Sequence, residues 1–371
     1  MESLKNIVFS FLRSPSKETL KNVELMFPQK EIIFTDMGRT AFKLIVEEMK
    51  LENSQMLFPA YVCDIFFPIL KKYNISPIFL DIQKETFNIK FEDIKQKITP
   101  KTKSILVCHT YGLPVDIQKI KQFTNNQLLI IEDCAHSFGA KYDSTNSPQD
   151  GIYTGNLGEA ALFSLYKQSP CLRGGMAVLQ KKPETSLLKT RFNFRDFLSL
   201  LNNFGIFAFL FKKFGGKIAP KIQRQEKLEI GKINNVSLNL FLNNLKDFKE
   251  NLKKRIELAF FFQEELRKLG FEVQESKDNI FSFLSALVPK NLNRDKLVKD
   301  LRKYGIFCTR IWHTPIILNP EVQKEYNLNL DEFPNTVDVA KRIINFPLQN
   351  HYSKKDIKKT IEALRKAISS L

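Results

Sequence analysis

The stretch TKSILVCHTYGLPVDIQKIKQFTNNQLLIIEDCAHSFGA, residues 102–140, decides the fold of this chain. It opens with the apolar run TKSILVC, continues with DIQKIKQF, which has helical spacing, and returns to the apolar run QLLIIED. Short apolar runs between breakers are typical of buried strands, and apolar residues three and four positions apart are typical of helices. Two strands joined by a helix predict a parallel pair, since a parallel connection needs such a crossover.

The same alternation extends toward the N-terminus. Further predicted strands are EIIFT, QMLFPA and SPIFLDI, and the predicted helices are RTAFKLIVEEM, CDIFFPILKKY and NIKFEDIKQKI. We therefore predict an α/β fold with a mostly parallel central sheet flanked by helices. In such sheets ligands bind beyond the carboxyl ends of the strands, so the residues that follow each strand are the candidates for a functional site.

The pattern changes after residue 157, to short strands with glycine-rich turns (EAALFSL and CLRGGMAVL) and then to a helix-rich stretch. The tail alternates the predicted strands IFSFLSALV and IFCTRIW with the predicted helices NRDKLVKDLRKY, TVDVAKRII and SKKDIKKTIEALRKAI. We predict a large domain over 1–244, with a helical insertion at about 186–232, and a smaller α+β domain over 245–371.

Charge, cysteines and histidines narrow the possible functions. The 371 residues carry 57 Lys and Arg against 40 Asp and Glu, a net charge of +17 that predicts affinity for anions. The basic residues are spread along the chain without a nucleic-acid-binding motif, so no nucleic-acid partner is expected. The 5 cysteines are scattered and the 4 histidines lack metal-binding spacing, so we expect no metal site. An odd number of scattered cysteines argues for a reducing compartment, and no apolar run reaches the ~18 residues that span a bilayer, so a cytoplasmic location is expected.

Three segments carry residue types that are typical of cofactor binding. They are Glu132–Asp133 at the end of a strand, Ser164 and Lys167 before the Gly174–Gly175 pair, and Gly38, Arg39 and Thr40 at a helix start. Taken alone, each has an ordinary interpretation: a helix N-cap, a solvated lysine and a glycine turn. Together they match the needs of pyridoxal phosphate, which are a lysine for a Schiff base, a carboxylate for the pyridine nitrogen, and a phosphate-binding helix start with hydroxyls.

Several motifs in one order along the chain carry a resemblance to a known family. They are GRTAFKL, FPAYVC, SPIFLDIQKETFNI, ITPKTKSILVCHTYGLPVDI and LLIIEDCAHSFGAKY, followed by SLNLFLNNLKDFKENLKKRIELA, GIFCTRIWHTPI and AKRIINFPLQNHYSKKDI. The chain resembles the nucleotide-sugar aminotransferases of the DegT/StrS group, which use pyridoxal phosphate and have the aspartate-aminotransferase fold (fold type I). The resemblance implies a homodimer that moves an amino group from an amino acid, commonly glutamate, to a nucleotide-linked keto-sugar in surface-polysaccharide or amino-sugar biosynthesis.

The resemblance also implies roles for residues at matching positions. Lys167 would form the Schiff base and then transfer protons, and Asp133 would pair with the pyridine nitrogen. His136 would lie near the phenolic oxygen of the cofactor ring. The residues expected at the phosphate are Gly38, Arg39, Thr40 and Ser164.

Two positions depart from the family pattern. The family's lysine lies five residues after the serine, whereas Lys167 lies three after Ser164. A two-residue deletion explains this spacing; the alternative, that the cofactor lysine is lost, would make the chain a PLP-dependent sugar dehydratase or a non-catalytic relative. The family's stacking aromatic is replaced by Cys63. The candidate substrate-contacting residues are then Tyr61, His109 and His313.

The resemblance leaves the segment 190–224 unexplained. Its apolar run 197–211 is rich in Phe and Leu and is followed by Lys212, Lys213, Lys217 and Lys221, and it is too short to span a bilayer. Two interpretations stay open. The segment is either a helix packed against the core or a dimer partner, or an interfacial helix that holds residues 197–221 on the inner face of an anionic membrane.

Overall fold

The computed structural model describes residues 14–142, 151–167, 172–189, 229–275, 277–348 and 352–370. The α-helices are α1 (Lys17–Glu24), α2 (Gly38–Glu48), α3 (Phe67–Lys72), α4 (Phe91–Lys97), α5 (Ile117–Phe123), α6 (Asn235–Asn244), α7 (Phe248–Lys268), α8 (Arg294–Lys303), α9 (Pro320–Tyr326), α10 (Pro334–Arg342) and α11 (Lys354–Ser369). The β-strands are β1 (Glu31–Thr35), β2 (Gln55–Pro59), β3 (Ser76–Leu80), β4 (Thr102–Cys108), β5 (Leu129–Asp133), β6 (Ala160–Ser164), β7 (Gly175–Leu179), β8 (Leu188–Lys189), β9 (Gly231–Lys232), β10 (Glu272–Val273), β11 (Leu284–Leu287) and β12 (Ile343–Phe346). Helices and strands alternate as predicted, and the α/β class is confirmed.

The chain divides into two compact units, each made of two separate stretches. The first unit comprises Met1–Lys50 and Ala160–Phe248, and the second comprises Leu51–Glu159 and Lys249–Leu371. The division into domains 1–244 and 245–371 stays a prediction. The segment 190–224, and all but the ends of the predicted insertion at 186–232, lie outside the described residues. In the part of the chain that is described, no helix combines the length and apolar character needed to cross a bilayer.

The second unit contains a parallel sheet with the strand order β3-β2-β4-β5. In the register of β4 with β5, Cys108 lies opposite Asp133, so the carboxyl ends of the two strands coincide. One face of this sheet packs on α4 and α5 through buried side chains that include Ile105, Ile130, Ile94 and Ile120. The residues that continue β2, β4 and β5 therefore meet at the edge where parallel sheets bind ligands.

The C-terminal part of the second unit adds an antiparallel sheet, β10-β11-β12. Its apolar core includes buried residues of α7, α8 and α11, and in α11 the spacing of Ile357, Ile361 and Leu364 places them on one helical face. The prediction of a strand at IFCTRIW is wrong. That segment makes an isolated bridge between Thr309 and Asn345 and then turns at Trp312, whose φ is +56°.

The first unit contains the strand order β6-β7-β1-β9-β8, in which β7 runs antiparallel to both β1 and β6. Gly175, the first residue of β7, lies opposite both Thr35 and Ser164. A Cβ atom at Gly175 would lie 2.3 Å from the carbonyl carbon and oxygen of Met37. This glycine therefore lets the turn between β1 and α2 pack directly on β7, which positions the start of α2.

Candidate functional site

The start of α2 packs against the end of β6 within the first unit. A Cβ atom at Gly38 would lie 3.2 Å from the carbonyl oxygen of Phe163 and 3.3 Å from the Cβ of Ser164, so a larger residue would push the two elements apart. Ser164 is buried, and Lys167 ends the short turn Leu165–Lys167 that follows it. A serine hydroxyl thus lies at the amino end of an 11-residue helix, where the helix dipole and first-turn amides favour an anion.

The turn that leads into α2 is held by Thr40 and Asp36. The Thr40 hydroxyl lies 2.6 Å from Asp36 Oδ1 and 2.6 Å from the Met37 carbonyl oxygen, and it accepts a hydrogen bond from the Met37 amide at 3.1 Å. Burial raises the pKa of Asp36, against the opposing effects of the Thr40 hydrogen bond and the charges of Arg173 and Arg39. A carboxyl group that takes up a proton more readily repels a nearby anion less. Thr40 itself is engaged in shaping the turn.

Asp133 ends β5 at the carboxyl edge of the parallel sheet in the second unit. Its side chain is buried, and Oδ1 accepts a hydrogen bond from the Ala135 amide at 3.0 Å. Its carbonyl oxygen accepts from the His109 amide at 3.2 Å, which continues the pairing of β4 with β5 beyond the last strand residue. These contacts give the carboxyl group a defined place at the ligand-binding edge of the sheet.

Glu132 is the centre of a buried hydrogen-bond network. Its Oε2 accepts from His109 Nε2 at 2.9 Å, from the Tyr142 hydroxyl and from the Gly155 amide at 2.7 Å. Its Oε1 accepts from the amides of Leu157 at 2.9 Å and Gly158 at 2.5 Å. Burial alone would raise the pKa of Glu132, but the hydrogen bonds from His109, Tyr142 and Gly158 hold it below its ordinary value. Glu132 therefore ties β5 to β4 and to the loop before β6.

His109, predicted as a substrate contact, is fully buried in this network. Its Nδ1 accepts a hydrogen bond from the Val115 amide at 3.0 Å, so the ring proton lies on Nε2, from which it is donated to Glu132. Both ring nitrogens are thus occupied inside the protein. This gives His109 a structural role, and we do not include it in the proposed substrate site.

Among the described residues, one cluster has the composition of a metal site: His109, Glu132 and Cys134, all buried. Nδ1 of His109 accepts a hydrogen bond from the Val115 amide, and its Nε2 is hydrogen-bonded to Glu132. Metal binding requires a free imidazole lone pair. The donors of this cluster therefore do not fit a metal ion.

Tyr61 and His136 both lie in an aromatic cluster of the second unit. Tyr61 is fully buried, with its hydroxyl 2.8 Å from the Tyr111 hydroxyl and its ring edge-on to Trp312. Burial raises the pKa of Tyr61, which remains a neutral phenol. His136 is also buried, and its ring is stacked on Trp312 with centroids 4.7 Å apart. Tyr61 serves as packing here, and we do not include it among the proposed ligand contacts.

His313 is exposed, and its Nδ1 lies 2.8 Å from the carbonyl oxygen of Arg310. Of the predicted substrate contacts, it is the one whose side chain reaches the surface. Sequence reasoning missed the contributions of Asp36, Tyr111 and Trp312. The signals available in the sequence were that Trp312 is the sole tryptophan of the chain and that a glycine, Gly112, follows Tyr111.

Comparison with known proteins identifies the relatives of this chain. A model of the DegT/DnrJ/EryC1/StrS aminotransferase family matches residues 68–365. The chain belongs to this family. The predicted resemblance is confirmed, and the matched range includes most of both stretches of the second unit and residues 160–248 of the first unit.

Individual relatives agree with this assignment. The dTDP-4-amino-4,6-dideoxy-D-glucose transaminase of Escherichia coli is 24% identical over 299 residues, which are 78% of this chain and 73% of that protein. The structure of NtdA from Bacillus subtilis with the bound cofactor PMP covers 99% of this chain and 82% of its own, with a TM-score of 0.71 and 20% identity. GDP-4-keto-6-deoxymannose-3-dehydratase with a trapped PLP-glutamate geminal diamine covers 97% and 96%, with a TM-score of 0.74 and 19% identity. The two structures show that this chain has the fold of these PLP- and PMP-binding proteins, as predicted.

Proposed function

We propose that this protein is a pyridoxal-phosphate-dependent aminotransferase that moves an amino group from an amino acid, glutamate in the simplest case, to a keto-sugar carried on a nucleotide. The observation that carries the proposal is the packing of Gly38 on Ser164, with Lys167 three residues further on. It brings together a helix start, of the kind that favours anions, and a serine hydroxyl, with a lysine in the turn that follows in the first unit. The family match over residues 68–365 supports the reaction class, and the product named for the E. coli relative supports an amino-sugar product.

The residues fit this cofactor by the chemistry of their side chains. When bound, pyridoxal phosphate supplies an aldehyde for attachment and a ring that accepts electrons from the α-carbon of the amino acid. In the proposal, Lys167 would hold the cofactor through its amine, and the same amine would hold and return the proton that moves during transfer. The Asp133 carboxylate keeps the pyridine nitrogen protonated. Ser164, the first-turn amides of α2 and Arg39 bind the phosphate, while Thr40 holds the turn in shape.

Lys167 decides between this function and the alternative of a dehydratase or a non-catalytic relative. The purified protein with pyridoxal phosphate should show an absorption band near ~420 nm, and borohydride should fix the cofactor covalently on Lys167, as mass spectrometry of its peptides can establish. Lys167→Ala should abolish the fixation, whereas Lys181→Ala, at an exposed lysine of the same unit, should not. Attachment to another lysine, or none, would overturn the proposal. A band that glutamate leaves unchanged would favour a different amino donor, because the dehydratase structure itself holds a PLP-glutamate geminal diamine.

Three parts of the proposal concern the setting of the enzyme and come from the resemblance and the sequence. Two copies form a homodimer, the enzyme works in the cytoplasm, and residues 197–221 contact the inner face of the membrane. Size-exclusion chromatography with light scattering tests the first part. Co-sedimentation with anionic vesicles tests the third, because the contact should weaken in high salt and after Phe207→Asp. A monomer, or vesicle binding that neither change reduces, would contradict the respective part.

A further inference from the structure

Trp312 belongs to a group of three nearly parallel rings in the second unit. The indole of Trp312 and the imidazole of His136 are 4.7 Å apart between centroids with an interplanar angle of 29°. The ring of Tyr111 lies 5.6 Å from His136 at 17° and 5.5 Å from Trp312 at 28°. Phe283 closes the group edge-on, 5.1 Å from His136. The imidazole is therefore held on its face and its edge by aromatic rings, an arrangement that restricts its rotation.

The backbone at Trp312 adopts a conformation that a bulky residue rarely has. Its φ of +56° lies in the left-handed region, which is strained for a bulky residue and persists where the surroundings fix it. Here the preceding residue is pinned from both sides: the Ile311 amide donates to Asn345 Oδ1 at 2.6 Å, and the Ile311 carbonyl oxygen accepts from the Tyr111 hydroxyl at 2.7 Å. The protein thus maintains a strained turn that directs the indole onto His136.

The same residues determine which nitrogen of His136 carries the proton. The Tyr111 amide donates to His136 Nδ1 at 3.3 Å, so Nδ1 is an acceptor and the proton of the neutral ring lies on Nε2. The main chain is held as well, because the Ser282 hydroxyl donates to the His136 carbonyl oxygen. Together with the ring contacts, these hydrogen bonds set both the plane of the imidazole and the direction of its Nε2–H donor.

We propose that Trp312 is a positioning residue for the cofactor: by stacking on His136 it holds the imidazole, in the Nε2–H form imposed by the Tyr111 amide, as a donor to the phenolic oxygen of pyridoxal phosphate. This inference rests on the proposed function and on the family resemblance, which implies that His136 lies near that oxygen. Trp312 touches neither reacting atom in this role. It acts by keeping one orientation and one tautomer of a group that otherwise has several.

The tautomer can be measured without the cofactor. In protein labelled with ¹⁵N-histidine, long-range ¹H–¹⁵N spectra should show His136 as the Nε2–H tautomer in the wild type and in Trp312→Phe, which keeps a stacking ring. Trp312→Ala should lose the single tautomer and show averaged nitrogen shifts. His109 provides the control in the same spectrum, because it has the same tautomer through Val115 and Glu132 and should not respond. An Nδ1–H tautomer of His136 in the wild type, or an unchanged His136 signal in Trp312→Ala, would overturn the inference.

The affinity for pyridoxal phosphate supplies the second measurement. Loss of one oriented hydrogen bond should raise the dissociation constant about tenfold in Trp312→Ala, and Trp312→Phe should stay within about threefold of the wild type. Equal dissociation constants for wild type and Trp312→Ala would refute the positioning role. A wild type that binds no pyridoxal phosphate would refute the proposed function instead. If Trp312→Ala fails to fold, Trp312→Leu, which keeps a large apolar side chain without an aromatic ring, takes its place with the same expected results.

Discussion

Replacing Glu132 by glutamine tests the buried network that connects β5 with β4 and the loop before β6. The carboxylate accepts five hydrogen bonds, three on Oε2 and two on Oε1. In the least harmful orientation of Glu132→Gln, the amide oxygen keeps the three donors at Oε2, from His109, Tyr142 and Gly155. The amide nitrogen, itself a donor, then faces the amides of Leu157 and Gly158.

The expected loss of stability follows from this geometry. Two hydrogen bonds to a charged acceptor contribute about 1.5–3 kcal/mol each, so their loss amounts to about 3–6 kcal/mol. Glutamine also removes the cost of burying a charge, which offsets part of that loss. We therefore expect the free energy of unfolding to fall by about 2–4 kcal/mol at neutral pH. Urea unfolding followed by circular dichroism measures this difference.

The pH dependence of the free energy of unfolding provides a second, independent test of the role of Glu132. The pKa of Glu132 lies below its ordinary value of 4.5 in the folded protein, so the unfolded chain binds its proton first as the pH falls. The stabilisation by the carboxylate is therefore complete above about pH 4.5 and is lost as the pH falls through the lower pKa of the folded state. The difference between wild type and Glu132→Gln should accordingly be constant near pH 7 and shrink below pH 4.5.

A matched substitution separates the network from a general effect of removing a charge. Glu52→Gln changes an exposed glutamate of the same unit and should alter the free energy of unfolding by less than about 0.5 kcal/mol. A loss below about 1 kcal/mol in Glu132→Gln would refute the reasoning. So would a difference that stays constant, or grows, as the pH is lowered.

Two further predictions concern packing in each unit. Gly175→Ala places a Cβ 2.3 Å from main-chain atoms of Met37 and should destabilise the protein by about 3 kcal/mol or more. In the control Gly174→Ala, the Cβ meets the end of a side chain at 2.7 Å, and the variant should lose about 1–2 kcal/mol of stability. Equal urea midpoints for the two variants would contradict this reasoning. Phe262→Ala removes a fully buried ring of the α7 core and should lower the free energy of unfolding, measured in urea, by about 3–5 kcal/mol. Phe260→Ala removes a ring that is 44% exposed and should lower it clearly less. The reverse order would contradict the placement of α7.

The sequence alone was sufficient for features that depend on residues a few positions apart. The run TKSILVC has the same bounds as β4, and EIIFT has the same bounds as β1. A short apolar run flanked by breakers predicts a strand, and this pattern extends over only a few positions. The order of motifs along the chain also led to the family that the match over residues 68–365 confirms. Residue types that suit pyridoxal phosphate could be recognised for the same reason, since each lies within a few positions of a strand end.

Only the tertiary structure decided what individual side chains do. His109 read as a candidate ligand contact, but its partner Glu132 is 23 residues away on the neighbouring strand, and no local pattern reveals that hydrogen bond. IFCTRIW read as a strand, yet Tyr111 and Asn345 hold its end in a turn at Trp312 through contacts 200 and 34 residues distant. Periodicity reports which face of an element is buried, whereas hydrogen-bond partners and stacked rings depend on which elements become neighbours after folding.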